Sequence, residues 1–278
     1  MKFADTIEGN LDKIERAVVR SANRKADVVL FPECAVTGYG CDFSTLRPGR
    51  MNDALRAVGQ MAARHRINLL VGSPVFRKGR WQNCLVVFNR AGRAVFCYAK
   101  CQLTAADRRF FRPGNSIALF KLDGVWATAI ICHERRYPEL VRLAAMAGAK
   151  VLFHPNAGMD SLAISRRKRG GRDGIAVRAF ENAIYYVFAN SVGRQRGGKW
   201  SAGDTKIVAP DGRVLRLANH RDEAVLPADL DLSLATRKYA VESLEHPRFL
   251  CGLWREMLQA VRRQARVDAR HLLESHFA

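Results

Sequence analysis

Apolar positions along the chain follow two rhythms. Leu11, Ile14, Val18 and Ala22 recur at helical spacing, with Asn10 placed to cap them, and ADVVLF at 26–31 then reads as a short buried strand. A second helix is expected over about 51–64, ahead of the strand INLLVG. QNCLVVFN and RAVFCYA, parted by Arg90, Ala91 and Gly92, predict a hairpin, and IALFKL with VWATAIIC, parted by Asp123 and Gly124, predict a tighter one. After Cys132, Pro138 suits the first turn of a helix buried through Leu140, Leu143, Ala144 and Ala147, Gly148 ends it, and KVLFHP resumes as strand. GIAVRAFENA then reads as helix, IYYVFAN and DTKIVAP as strands, and EAVLPADLDL as a last strand. With no repeat or low-complexity linker, this alternation predicts an α/β domain over residues 1–245 and a basic amphipathic helical extension over 246–278.

A chain of 278 residues with 48% hydrophobic content can bury a large core. It has no apolar run of the roughly 18 residues that span a bilayer, and MKFADTIEGN lacks signal-peptide features, so a cytoplasmic protein without a membrane partner is expected. The seven cysteines are odd in number and form no CxxC pair, which argues against a disulfide framework and against a metal site. The net charge of +20 predicts attraction of anions, whether substrates, nucleic acid or acidic surfaces.

The candidate chemistry begins at AIICHERRYPEL, where an apolar strand stops at Cys132 and a helix follows. A thiol of ordinary pKa, about 8.5, is a poor nucleophile at neutral pH without a base, a cation or a helix N-terminus nearby. The alternative is a buried structural cysteine. Glu33, directly after a buried strand in VVLFPECAVTGYG, and Lys100, ending another in YAKCQL, are charges placed where a core disfavours them.

Together, FPE followed by TGY, the lysine followed by FFRPG, and CHERRYPEL resemble in order and flanking sequence the Glu-Lys-Cys motifs of the nitrilase superfamily of carbon-nitrogen hydrolases. RAFENAIYYVFAN with GDTKIVAPDG resembles that family's downstream block. The resemblance implies a four-layer αββα sandwich, dimerisation or higher homo-oligomerisation, and a cysteine hydrolase with no metal or organic cofactor. It implies Glu33 as general base, Cys132 as nucleophile, and Lys100 with the backbone N–H of His133 as oxyanion stabilisers. Asp107 takes the place of a second glutamate common in the family, one methylene shorter; a surface aspartate balancing Arg108 and Arg109 is the alternative. Family members also begin with a strand that is missing before MKFADTIEGN, through a downstream start or a lost strand.

CHERRYPE resembles more narrowly the CxDRRWPE stretch of N-carbamoyl-D-amino acid amidohydrolases, which implies that Arg135 and Arg136 hold a substrate carboxylate, as guanidinium geometry allows. Gln102 departs from that subfamily, which has histidine there. Glu134 and Asn156 are further supporting or substrate-binding candidates, and Glu181 and Asn182 resemble bracing positions. The expected substrate is therefore a non-peptide amide or N-carbamoyl compound. The basic run SRRKRGGRDG at 165–174 is read as a solvated loop, with an electrostatic funnel as the alternative. Three rival functions remain: nucleic-acid binding, for which no recognised motif is present, an inactive scaffold, and acyl transfer to an amine.

Overall fold

The computed structural model describes residues 1–167 and 176–274, with side chains through 265. Thr6, not Asn10, caps the first helix, α1 (Ile7–Ala22): the Thr6 hydroxyl accepts from Gly9 N at 3.1 Å. Asn10 is instead buried in the helix, where it grips Ala4 and Thr6 through their backbone.

The chain continues through β1 (Val28–Leu30), α2 (Pro48–His65), β2 (Asn68–Arg77), β3 (Arg80–Phe88), β4 (Ala94–Ala99), β5 (Phe120–Leu122) and β6 (Val125–Ala129). Next come α3 (Pro138–Ala147), β7 (Val151–Asn156), α4 (Leu162–Arg167), α5 (Val177–Phe180) and β8 (Tyr185–Asn190). The last elements are β9 (Val192–Arg194), β10 (Trp200–Ala202), β11 (Lys206–Val208), β12 (Val214–Leu217), α6 (Lys238–Glu242) and α7 (Arg248–Glu274). Of the basic run, residues 168–174 lie outside the described residues, as does the start of the helix expected over GIAVRAFENA.

One sheet runs β1-β2-β3-β4 and the other β12-β11-β8-β7-β6-β5, with β6, β7 and β8 parallel; β9 and β10 form a separate hairpin. Strand alternation sorts side chains between two cores. Val151, Phe153 and Tyr185 point into the core shared with β2–β4, α1 and α2, whereas Leu152, Tyr186 and Phe188 point into a second core with α3 and α7. The result is the expected four-layer αββα sandwich.

Two differences from the sequence reading share one cause. Among the described residues no strand precedes α1 and β1 is the edge of its sheet, its residues half-buried instead of buried. Residues 223–232, expected as a last strand, form none, and 224–230 make no backbone hydrogen bond among the described residues. Between the two segments lies a groove of about 1010 Å³ lined by Val28, Leu30, Val151, Phe153, Val225 and Leu230. A strand needs a neighbour to pair its N–H and C=O groups, and the groove separates these two segments.

Candidate active site

The loop after β1 reaches Lys100 by crossing β2 at Gly72. A Cβ at Gly72 would lie 2.5 Å from Cys34 N and 2.8 Å from Glu33 Cα, and closer still to Pro32 O, so only glycine lets the backbones pass. Gly72→Ala is expected to displace Glu33 and lower activity by about tenfold or more, since small misplacements of reacting groups carry such costs. Wild-type activity in that variant would show that Glu33 tolerates the shift.

That crossing brings Glu33 against Lys100, with Lys100 Nζ donating to Glu33 Oε1 at 2.8 Å and to Asp107 Oδ2 at 2.9 Å, all three side chains fully buried. Asp107 is therefore not a surface residue. Its Oδ1 accepts from the Tyr39 hydroxyl at 2.7 Å, and its Oδ2 also accepts from Thr104 N and Oγ1 at 2.9 Å, so the shorter side chain still spans to the lysine.

Charge decides the protonation of this cluster. Burial opposes the Lys100 ammonium, but the carboxylates of Glu33 and Asp107, with the Cys132 sulfur where it ionises, outweigh it and raise its pKa well above the usual value. Burial likewise opposes the Asp107 carboxylate, but Lys100 and the surrounding donors bring its pKa below the ordinary one. Asp107 thus contributes stability above its unfolded pKa and loses it as pH falls through the lower folded value; Lys100 contributes below its unfolded pKa and loses it as pH rises through the higher one. Both are charged at neutral pH.

Cys132 opens a 3-10 turn, Cys132–Arg136, between β6 and α3, with φ at 52°. A non-glycine residue in this left-handed region is strained, and such strain concentrates at working sites. Burial pushes the thiol up to about 12; the Glu33 carboxylate adds to the rise, while Lys100 and a hydrogen bond from Ala157 N–H oppose it. A resting neutral thiol beside a carboxylate acceptor is thus the ground state. Glu134, buried, holds this turn to the Lys100 loop by accepting from Ile131 N (2.6 Å), Cys101 N (2.7 Å), Gln102 N (3.2 Å) and Tyr98 Oη (2.9 Å). It braces the site rather than facing it.

The other candidates are more dispersed. His133 is half-buried, edge-on to Tyr137, with a pKa lowered by burial and by Arg136, Lys100 and Arg135. Arg135 is half-buried, its backbone carbonyl held by Arg178 Nε at 3.1 Å, while Arg136 is exposed. Asn156 donates to Asn190 Oδ1 at 2.8 Å and leaves its own buried Oδ1 without a partner among the described residues. Glu181 pairs with Arg178 at 2.6 Å, and Asn182 holds the Arg178 carbonyl at 3.0 Å, so both reach the Cys132 turn only through Arg178.

Sequence reasoning missed two groups, each marked by a polar residue at the border of an apolar run. Asn83 on β3 donates through Nδ2 to Glu33 Oε1 at 2.8 Å. His154 on β7 holds the Cys132 carbonyl through Nε2 at 3.0 Å, so Nε2 carries the proton and Nδ1 accepts from the Tyr186 hydroxyl. Burial, with Arg135 nearby, lowers its pKa to about 3. The unfolded chain binds this proton near pH 6.5, so stability should fall by up to about 1.4 kcal/mol per pH unit from 6.5 toward 3. His154→Gln keeps both hydrogen bonds without the titration and should flatten that slope in urea unfolding; unchanged slopes would assign the acid sensitivity elsewhere.

The four-layer sandwich with a buried carboxylate and ammonium beside a cysteine at a strand-to-helix turn defines a hydrolase-like scaffold, and comparison identifies its family. The carbon-nitrogen hydrolase pattern matches residues 3–239, and the chain belongs to that family. It is 30% identical to an (R)-stereoselective amidase from Pseudomonas sp. over 86% of this chain and 89% of the relative. It is 28% identical to the 2-oxoglutaramate amidase of Bacillus subtilis over 80% and 85%. A carbon-nitrogen hydrolase from Helicobacter pylori G27 shares the fold with a TM-score of 0.80 at 20% identity, covering 89% of this chain and 93% of the other. A variant of the Nesterenkonia AN1 amidase, from the nitrilase superfamily, does so with 0.76 at 22%, covering 87% and 90%.

Proposed function

We propose that the protein is a cysteine-dependent amidase acting on a non-peptide amide or N-carbamoyl compound, one bearing a carboxylate, through a thioester at Cys132. The carrying observation is the buried Lys100, salt-bridged to Glu33 and Asp107 and close enough to Cys132 for each to shift the other's pKa.

In the first half-reaction Cys132 Sγ attacks the substrate carbonyl carbon as its proton passes to Glu33. Lys100 stabilises the developing oxyanion with the backbone N–H of His133, in a site where poor solvation strengthens each interaction. Glu33 then gives its proton to the leaving nitrogen, the C–N bond breaks, and the thioester remains. Glu33 next accepts a proton from water as it attacks the thioester, then passes that proton to the departing Cys132 sulfur as the C–S bond breaks. This frees the thiol and a carboxylic acid, or a carbamic acid where the acyl group is carbamoyl.

Arg135, half-buried at the turn, is the group we assign to the substrate carboxylate. Phe249, Leu253 and Met257, exposed along one face of α7, support a homo-oligomer formed through that face. Seven free thiols suit a reducing cytoplasm, and no described helix is long and apolar enough to cross a membrane.

A panel of amides, ureido acids and nitriles, read by release of ammonia or amine, tests the assignment. Hydrolysis of a carboxylate-bearing amide or ureido acid is expected, with Arg135→Gln raising KM for it and leaving uncharged amides unaffected. No turnover of any member would count against the function, and equal KM values in Arg135→Gln would count against the carboxylate.

A further inference from the structure

Glu33 is fastened by only one of its oxygens. Oε1 accepts from Lys100 Nζ and from Asn83 Nδ2, both at 2.8 Å, while the buried Oε2 has no hydrogen-bond partner among the described residues. Asn83 is itself fully buried on β3 and also accepts from Lys100 N through its backbone carbonyl at 2.8 Å. One residue therefore fixes both the carboxylate and the lysine that faces it.

The Asn83 amide has two orientations, and only one presents N–H to Glu33. The Cys34 thiol, buried beside it, donates to Asn83 Oδ1 at 3.6 Å, which favours that orientation, because in the reverse one the sulfur would serve only as a weak acceptor for the NH₂ group. The reverse orientation would set an amide oxygen against a carboxylate oxygen.

We infer that Asn83, its amide oriented by Cys34, is a positioning residue that ties up Oε1 of Glu33 and leaves Oε2 as the oxygen that takes the Cys132 proton. This inference rests on the hydrolase reading above and names a feature that reading does not require. The Cys132 thiol lies within hydrogen-bonding reach of the Glu33 carboxylate, and with Oε1 already held by Lys100 and Asn83, Oε2 is the oxygen open to its proton.

The test reads alkylation of Cys132 by iodoacetamide, followed by peptide mass mapping, which needs no knowledge of the substrate. Asn83→Ala is expected to slow alkylation about tenfold or more at pH 7, and to lower kcat on the best panel substrate with KM unchanged. Asn83→Asp gives a sharper signature. At low pH its protonated acid can donate to Glu33 as the amide does, whereas at high pH it sets two carboxylates together. Its rate relative to the unsubstituted protein should therefore rise as pH falls from 8 to 5.

Rates within about threefold of the unsubstituted protein in both variants, at every pH, would overturn the inference. Should the Asn83 variants not fold, Cys34→Ser and Cys34→Ala replace them: serine keeps a donor and should stay within about threefold, alanine removes it and should fall several-fold further. Equal rates in the two would overturn the inference. Glu33→Gln and Cys132→Ala, measured alongside, separate the failures. If these two abolish activity while the Asn83 and Cys34 variants do not, only the positioning role is lost; if these two are silent, the hydrolase reading itself falls.

Discussion

Cys132→Ala is expected to reduce hydrolysis of the best substrate by at least about 10⁴-fold, because in the proposed mechanism Cys132 carries the acyl group, and losing a nucleophile removes the benefit of its base as well. Folding should be nearly unaffected. The half-buried sulfur accepts a hydrogen bond from Ala157 N–H, and the substitution adds no strain at φ 52°, where cysteine and alanine carry the same penalty. Parallel rate and urea measurements check both halves. A variant with native stability and native turnover would show that the thiol does no chemistry.

The second large effect concerns stability. Lys100→Met should destabilise the fold by about 3–5 kcal/mol, because removing one partner of a buried ion pair strands the other, and native domains have only about 5–15 kcal/mol in all. The two carboxylates are not equally exposed to that loss. Asp107 keeps donors from Tyr39 and Thr104, whereas Glu33 keeps Asn83 and the weak donor of the Cys132 thiol among the described residues. Most of the penalty therefore falls on Glu33, and Lys100→Met with Glu33→Gln should recover much of the stability while remaining inactive. If the double variant were no more stable than the single one, the stranded-carboxylate explanation would be wrong.

The contrast between Glu33 and Asp107 also shows what the linear sequence could convey. Glu33, Lys100 and Cys132 each end an apolar strand with a polar side chain, an anomaly visible without coordinates, and their flanking motifs supplied the family resemblance. Strand and helix periods likewise predicted an α/β alternation, while the two layers of strands between helices came only as what the family resemblance implies. Asp107 in ADRRFFRPG was ambiguous because its neighbours Arg108 and Arg109 look like surface partners, and only the fold turns its side chain inward to Tyr39 and Lys100.

Tertiary pairing accounts for most of what was not legible. EAVLPADLDL has the composition of a strand, yet 223–232 form none because a strand depends on its neighbour as much as on its own residues. The roles of Asn83 and His154 were hidden for a related reason. Each is a polar residue at the border of an apolar run, and what it bonds to lies on another element: the loop after β1 for Asn83, the turn after β6 for His154.

One measurement bears most directly on the central claim that Cys132 carries the acyl group: rapid acid quench during turnover of the best panel substrate, followed by mass mapping of the peptide that contains residue 132. The chemistry described here predicts that this peptide gains the mass of the substrate's acyl half and loses it again as substrate is exhausted. Acylation of a different residue, or steady turnover with the peptide unmodified at every time point, would contradict it.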